Sequence, residues 1–139
     1  MICFFGGLLL KEIALKTSKR CELKDITQNV GRLLVGSGVK DGLCVIYCPH
    51  TTAGLLINEN ADPDVKTDLL NALEALVPAL KFKHSEGNSD AHLKSSLVGK
   101  SLTLIVRDGK LVLGTWDAIY FAEFDGPRNR KVLIKVIEA

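Results

Sequence analysis

The sequence predicts an α+β fold: one compact domain, built on an antiparallel β-sheet folded into a sandwich-like arrangement, with two to three helices. Three observations predict it. Leu102, Leu104 and Val106 alternate with polar neighbours at the period of two that a half-buried strand requires. Val65, Leu69, Leu73, Leu76 and Val77 recur instead at helical spacing and form one apolar stripe. No linker or repeat divides the 139 residues, so 1–139 reads as a single domain. A chain of this length buries roughly two-thirds of its unfolded surface and needs no disulfide to hold a core.

The elements follow in order. Leu8 to Thr17 carries short apolar runs with a period of two from Ile13, which predicts a strand. Asp25 can cap a helix whose apolar positions are Ile26, Val30, Leu33 and Leu34, with Gly36 or Gly38 to end it. Leu43 to Cys48 is rich in strand formers and is stopped by Pro49. Leu55 to Ile57 is a second short strand. Asp62 before Pro63 is a strong helix start, because proline at the first helical position lacks only an amide that would be unpaired there. Pro78 marks the exit of that helix. A shorter helix starts at Ser89 or Asp90 and ends near Gly99, with Leu93, Leu97 and Val98 expected inward. From Ser101 strands return: Asp108-Gly109 is a hairpin turn, Lys110 to Leu113 runs back, and Trp116–Phe124 and Arg130–Ile137 complete the sheet.

Composition excludes several classes. Hydrophobic residues are 47% and charged residues 24% of the chain, ordinary proportions for a globular domain. A net charge of +2 with no block of like charge argues against a nucleic-acid partner; Lys81 and Lys83 around Phe82 read as a solvated edge. Cys44 and Cys48 would lie roughly 13 Å apart along a strand, too far to bond. Cys3 and Cys21 show no metal-knuckle spacing, so reduced thiols in a cytoplasmic protein are expected. The apolar start from Met1 to Leu10 lacks a basic leader and runs into Lys11-Glu12, which argues against export and against a membrane span. No glycine loop of the nucleotide-binding kind occurs, so no nucleotide cofactor is expected.

The three histidines fall beside acid- and amide-rich segments. His50 stands at a strand end, followed by Thr51 and Thr52, whose hydroxyls and amides suit an anion such as phosphate; a buried, hydrogen-bonded turn histidine is the structural alternative. Asn58, Glu59, Asn60 and Asp62 form a polar set between a strand and a helix. Asp62 suits the cap, which leaves Glu59 as the functional acid, a general base or an aid to a divalent cation. His84 and His92 bracket Glu86, Asn88 and Asp90. With Asp90 as cap, His92 lies in the first helical turn, where the helix end favours the neutral ring. His50, His84 and His92 suffice for a zinc site with an open position, and Glu86 could complete it or carry protons. Trp116 and Asp117 follow Gly114-Thr115. Arg128 is a phosphate clamp by its planar fork, or a solvated edge.

Taken together, His50–Gly54, Ile57–Val65, His84 with Glu86–Asn88, Ala91–Lys94, Gly114–Trp116 and Glu123–Arg128 resemble the YjbQ family over nearly the whole chain. The resemblance implies a small α+β protein with a folded antiparallel sheet, a homotrimer with a polar cleft near subunit boundaries, and thiamine-phosphate synthase activity described as secondary. It matches His50, His84 and His92 to the family's histidine positions, and Glu59, Glu86 and Asp90 to its acidic ones. Asp117 departs from the glutamine of many members, and Val106-Arg107 from a proline-containing strand end. The implied reaction joins a pyrimidine methyl diphosphate to a thiazole phosphate with loss of pyrophosphate. A divalent zinc or magnesium ion would help, and Thr51, Thr52, Lys94 and Arg128 would meet phosphate oxygens. The open alternatives are a metal-dependent hydrolase or lyase, or a non-catalytic trimer that binds a metal or small anion.

Overall fold

Eight strands and three helices are arranged in two antiparallel sheets in the computed structural model, which describes residues 10–77 and 80–139. The five-stranded sheet has the order β1 (Lys11–Lys16), β8 (Asn129–Glu138), β3 (Gly42–Tyr47), β5 (Ser101–Arg107), β6 (Lys110–Leu111). The three-stranded sheet has the order β2 (Glu22–Asp25), β7 (Asp117–Glu123), β4 (Ala53–Glu59). The expected α+β class with a sandwich-like antiparallel sheet and three helices is what the chain adopts.

Alternation explains the layers. Ile13 and Leu15 of β1, Cys44 and Ile46 of β3, Leu104 and Val106 of β5, and Val132, Ile134 and Val136 of β8 all face one way. They meet Leu55, Ile119 and Phe121 of the smaller sheet, together with Ile26, Val30 and Leu34 of α1 (Thr27–Ser37). The opposite face of the smaller sheet carries Leu23, Ala118, Tyr120, Ala122 and Phe124, packed against Leu69, Leu70 and Leu73 of α2 (Pro63–Leu76) and Ala91 of α3 (Ser89–Val98). Strand β7 is therefore sealed on both faces. Each large side chain so buried contributes about 2 kcal/mol through removal from water.

Local signals act largely as expected. The Asp25 carboxylate accepts from the Thr27 amide and hydroxyl at the head of α1, and Gly38, at φ 71°, ends the helix in the left-handed region. Asp62 accepts from the Asp64 amide at 2.9 Å, which caps α2 ahead of Pro63. Asp108 and Gly109, at φ 52° and 72°, supply the two left-handed residues of the β5–β6 turn.

Several expectations are corrected. Strand β2 was absent from the sequence reading; only Leu23 among its residues is buried, and pairing with β7 creates it. Helix α3 begins at Ser89, as expected, but its buried residues are Ala91, Lys94 and Ser95, whereas Leu97 is exposed. The reason is the close approach of α3 to β4: the Ser95 hydroxyl donates to the Ala53 carbonyl at 2.7 Å, a contact for which a leucine is too large. No residue of α2 is fully buried, and Leu76 faces solvent. The expected strand start at Leu8, Cys3, and the exit at Pro78 lie outside the described residues.

Candidate functional site

The predicted polar residues collect at two ends of the smaller sheet. Strand β4 separates them: six residue steps from Ala53 to Glu59 span about 20 Å at strand rise. At the Ala53 end stand His50, Thr51 and Thr52, with the close of β7, the start of β8 and the start of α3. At the Glu59 end stand Asn58, Glu59, Asn60, Asp62, Trp116 and Asp117. Within one chain, Glu59 and His50 therefore do not share a site.

A buried ion pair anchors the first end. Arg130 donates through Nε and Nη2 to both oxygens of Glu123 at 2.8 and 2.6 Å, and through Nη2 to the Thr52 hydroxyl at 2.8 Å. Thr17 donates to Glu123 at 2.8 Å, and the amides of Phe124 and Asp125 complete the cage. Burial pushes the Glu123 carboxyl up, but Arg130, the Asp125 amide and Thr17 outweigh it and hold the group below the ordinary glutamate range. Thr52 is thus a buried acceptor for Arg130, while Thr51 is exposed.

His50 has a defined role in this frame. Its Nε2 accepts the backbone N–H of Lys131 at 3.0 Å, at the point where β8 has run past the end of β3. Burial, and then the charge of Arg130, lower its pKa, so the ring is neutral at pH 7. With Nε2 as acceptor the proton resides on Nδ1, and the ring offers an N–H donor. Ligation of a metal by His50 would require it to give up one of these two features.

The start of α3 brings the other two histidines together. The rings of His84 and His92 meet edge-on with centroids 5.6 Å apart, and the Glu86 carboxylate lies 3.9 Å from His84 Nε2. The His92 amide donates to the Asn88 carbonyl, Asn88 Nδ2 donates to Asp125 at 3.0 Å, and Asp125 accepts from Arg128 Nη2 at 2.9 Å. Burial raises the Asp125 carboxyl, but Asn88 and Arg128 prevail and lower it. Asn88 Oδ1 is buried without a partner among the described residues. Arg128 uses Nε and Nη2 on Asp125, which leaves Nη1 for an anion.

Lys94, expected at a phosphate, is 2% exposed and is enclosed by the carboxylates of Glu74 and Asp90. Burial alone would lower its pKa; Glu74 and Asp90 reverse this and raise it. Asp90 also takes both guanidinium nitrogens of Arg20 at 2.9 Å, and that pair holds its carboxyl down at about 2. Lys94 and Asp90 therefore pin α3 to α2 and to the Arg20 loop. Sequence reasoning missed Arg20, Glu74, Glu123, Asp125 and Arg130, whose partners lie far along the chain. The buried Glu123-to-Arg130 spacing across the turn was the available signal.

At the Glu59 end most groups serve the fold. Asn60 donates to Asp25 and accepts the Tyr120 hydroxyl at 2.7 Å, Asn58 accepts from the Glu59 amide, and Asp117 accepts from the Gly114 amide. Trp116 is 63% exposed, and its carbonyl accepts from the Asn60 amide.

Among the described residues no three His, Cys, Asp or Glu side chains converge on one metal position. Two imidazoles on one tetrahedral zinc at about 2 Å would set their centroids roughly 5 Å apart, so the His84–His92 spacing suits two ligands of such an ion.

Known proteins share this frame. The chain is 58% identical over 130 residues to the UPF0047 protein MJ1081 of Methanocaldococcus jannaschii, covering 93% of this chain and 94% of the relative. It is 52% identical to the UPF0047 protein YugU of Bacillus subtilis, over 93% and 99% of the two chains. The crystal structure of an uncharacterized conserved YjbQ/UPF0047 protein from Clostridium acetobutylicum superposes with a TM-score of 0.89 at 55% identity, covering 91% of this chain and 99% of that one. The model of the UPF0047 protein YjbQ-like family matches residues 11–139. This chain belongs to the YjbQ-like UPF0047 family.

Proposed function

We propose that the protein is a thiamine-phosphate synthase-like transferase working at the α3 end of the smaller sheet. The carrying observation is the edge-on pair of His84 and His92, 5.6 Å apart and tied through Asn88 and Asp125 to Arg128. In the reaction the C–O bond of a pyrimidine methyl diphosphate breaks, its methylene carbon bonds to the thiazole nitrogen, and pyrophosphate leaves. His84 and His92 would supply two ligands to a divalent ion, the remaining positions going to substrate and solvent, and a pair of imidazoles suits zinc better than magnesium. Such an ion supplies Lewis-acid stabilisation of the leaving oxygens. The chain's own groups do the rest. His50 Nδ1–H and the Thr51 hydroxyl donate to phosphate oxygens, and Arg128 Nη1 adds a charged donor. The Glu123–Arg130 pair keeps His50 and Thr52 in register.

The experiment is direct. Purified protein given both phosphorylated precursors, with zinc or magnesium supplied, should form thiamine phosphate, and the His84→Ala/His92→Ala double variant should lose at least a hundredfold with unchanged circular dichroism. Wild-type turnover at the buffer rate with either metal would overturn the reading. The same nitrogen-rich set favours one second reading, a zinc-dependent hydrolase or lyase of a small phosphorylated substrate. That reading predicts retained zinc in the wild type and no product from the two precursors together.

A homotrimer is part of the proposal. Ile137, Leu43 and Ile105 stand side by side across three strands on the outward face of the larger sheet, at 42%, 37% and 56% exposure. A contiguous apolar row of this kind is typical of a subunit contact. Sedimentation should then give three times the 15.1 kDa chain mass. Thiols that are free among the described residues, at Cys21, Cys44 and Cys48, support a reducing, cytoplasmic location. No helix among the described residues is long and apolar enough to cross a membrane.

A further inference from the structure

A groove of about 540 Å³ lies between α1 and the β5–β6 hairpin, on a part of the fold that the histidine site does not use. Its volume falls within the range of small-molecule sites. Its lining includes the apolar Leu34, Val35 and Leu111, Gly31, and the charged Arg32 and Lys110. Three observations indicate an occupant. Gly31 sits in the interior of a helix, where glycine is a weak choice, yet a Cβ there would meet nothing within 4 Å. Nothing inside the chain therefore requires its small size. Val35 is left 74% exposed beside it. Neither Arg32 nor Lys110 forms an ion pair among the described residues. An apolar trough edged by two unpaired cations matches an anion with an apolar body.

We propose that this groove binds a small amphipathic monoanion, a medium-chain carboxylate, with its tail along Gly31 and Val35 and its head between Arg32 and Lys110. The test uses the full-length protein, decanoate as the anionic probe and decanol as the neutral one, with affinity read by calorimetry. Wild type should take up one decanoate per chain. Gly31→Leu, which fills the groove without disturbing a packed neighbour, should weaken decanoate at least tenfold. Arg32→Gln/Lys110→Gln, two surface changes that spare the fold, should weaken decanoate at least fivefold and leave decanol within twofold. Equal decanoate affinity in wild type and Gly31→Leu overturns the proposal, as does equal loss of decanoate and decanol in the charge variant. A change of oligomeric mass in Gly31→Leu, with no decanoate bound by wild type, overturns it in favour of a second copy covering the groove.

Discussion

Replacing Arg130 by methionine tests whether the buried ion pair organises the α3 end. Arg130 and Glu123 are 6% and 0% exposed, and the guanidinium makes two charged hydrogen bonds to the carboxylate and one to Thr52. Methionine fills much of the same volume, so the loss is chiefly that of an uncompensated buried carboxylate, about 3–5 kcal/mol at pH 7. An unfolding entropy of about 2.1 cal/mol/K per residue gives roughly 0.3 kcal/mol/K for this chain, so Tm should fall by about 10–17 °C. The pH dependence carries the sign. In wild type the Glu123 carboxyl is held below its ordinary range, so its stabilisation is present above the unfolded pKa near 4.5 and is lost as pH falls through the folded value. In the variant burial dominates and raises the folded pKa. The folded state then takes up a proton more readily than the unfolded one, and the penalty shrinks as pH falls. The gap between the two proteins should therefore be largest at pH 7 and clearly smaller at pH 4.5. Urea unfolding at both pH values, at one fixed protein concentration, measures it. A gap below about 1 kcal/mol at pH 7, or the same gap at both pH values, would refute the reasoning.

Two further outcomes are expected. His50→Ala removes the acceptor of the solvent-accessible Lys131 N–H and should cost about 0.5–1.5 kcal/mol at pH 7; because burial lowers the His50 pKa, its contribution is present above pH 6.5 and is lost as pH falls through the folded value, so the wild-type imidazole should titrate below 6.5 by NMR. Gly54→Ala would place a Cβ 2.5 Å from the Gly99 carbonyl oxygen and 3.1 Å from Val98 Cγ1, pushing α3 off β4 at a cost of about 1–3 kcal/mol, seen as a lower urea midpoint.

What the sequence displayed was whatever depends on neighbours in the chain. Asp62-Pro63, Asp108-Gly109 and the alternation of β5 are local signals, and each produced the element it announced. Glu22–Asp25 carries no such signal: its single inward residue is Leu23, and it becomes a strand because β7 presents unpaired backbone there. The need for glycine at position 54 is not local either: the group that approaches it is the Gly99 carbonyl, forty-five residues along the chain. Lys94 was expected at a phosphate because its pattern alone does not reveal Glu74, twenty residues earlier and on another helix. Electrostatic burial of this kind is a property of assembled elements and leaves no local periodicity.

The same distinction decides which of the predicted polar residues can still do chemistry. At the Glu59 end both functions of the Asn60 amide are engaged, Asp62 caps α2, and Asp117 closes the Gly114 turn, so chiefly the Glu59 carboxylate and the Trp116 ring remain. At the α3 end the fold uses a different set: Arg130 binds Glu123 and Thr52, and Lys94 binds Asp90. Those bonds leave His84, His92, Glu86, Thr51, one His50 N–H and one Arg128 nitrogen available. A group already satisfied by the fold cannot bind substrate without first losing a bond worth about 1 kcal/mol or more. Free donors and imidazoles therefore concentrate where α3 begins, on a frame held by a buried ion pair, and the phosphate of the proposed substrate would meet the least competition there. If Glu59 also acts on that substrate, the 20 Å length of β4 requires it to come from a neighbouring copy.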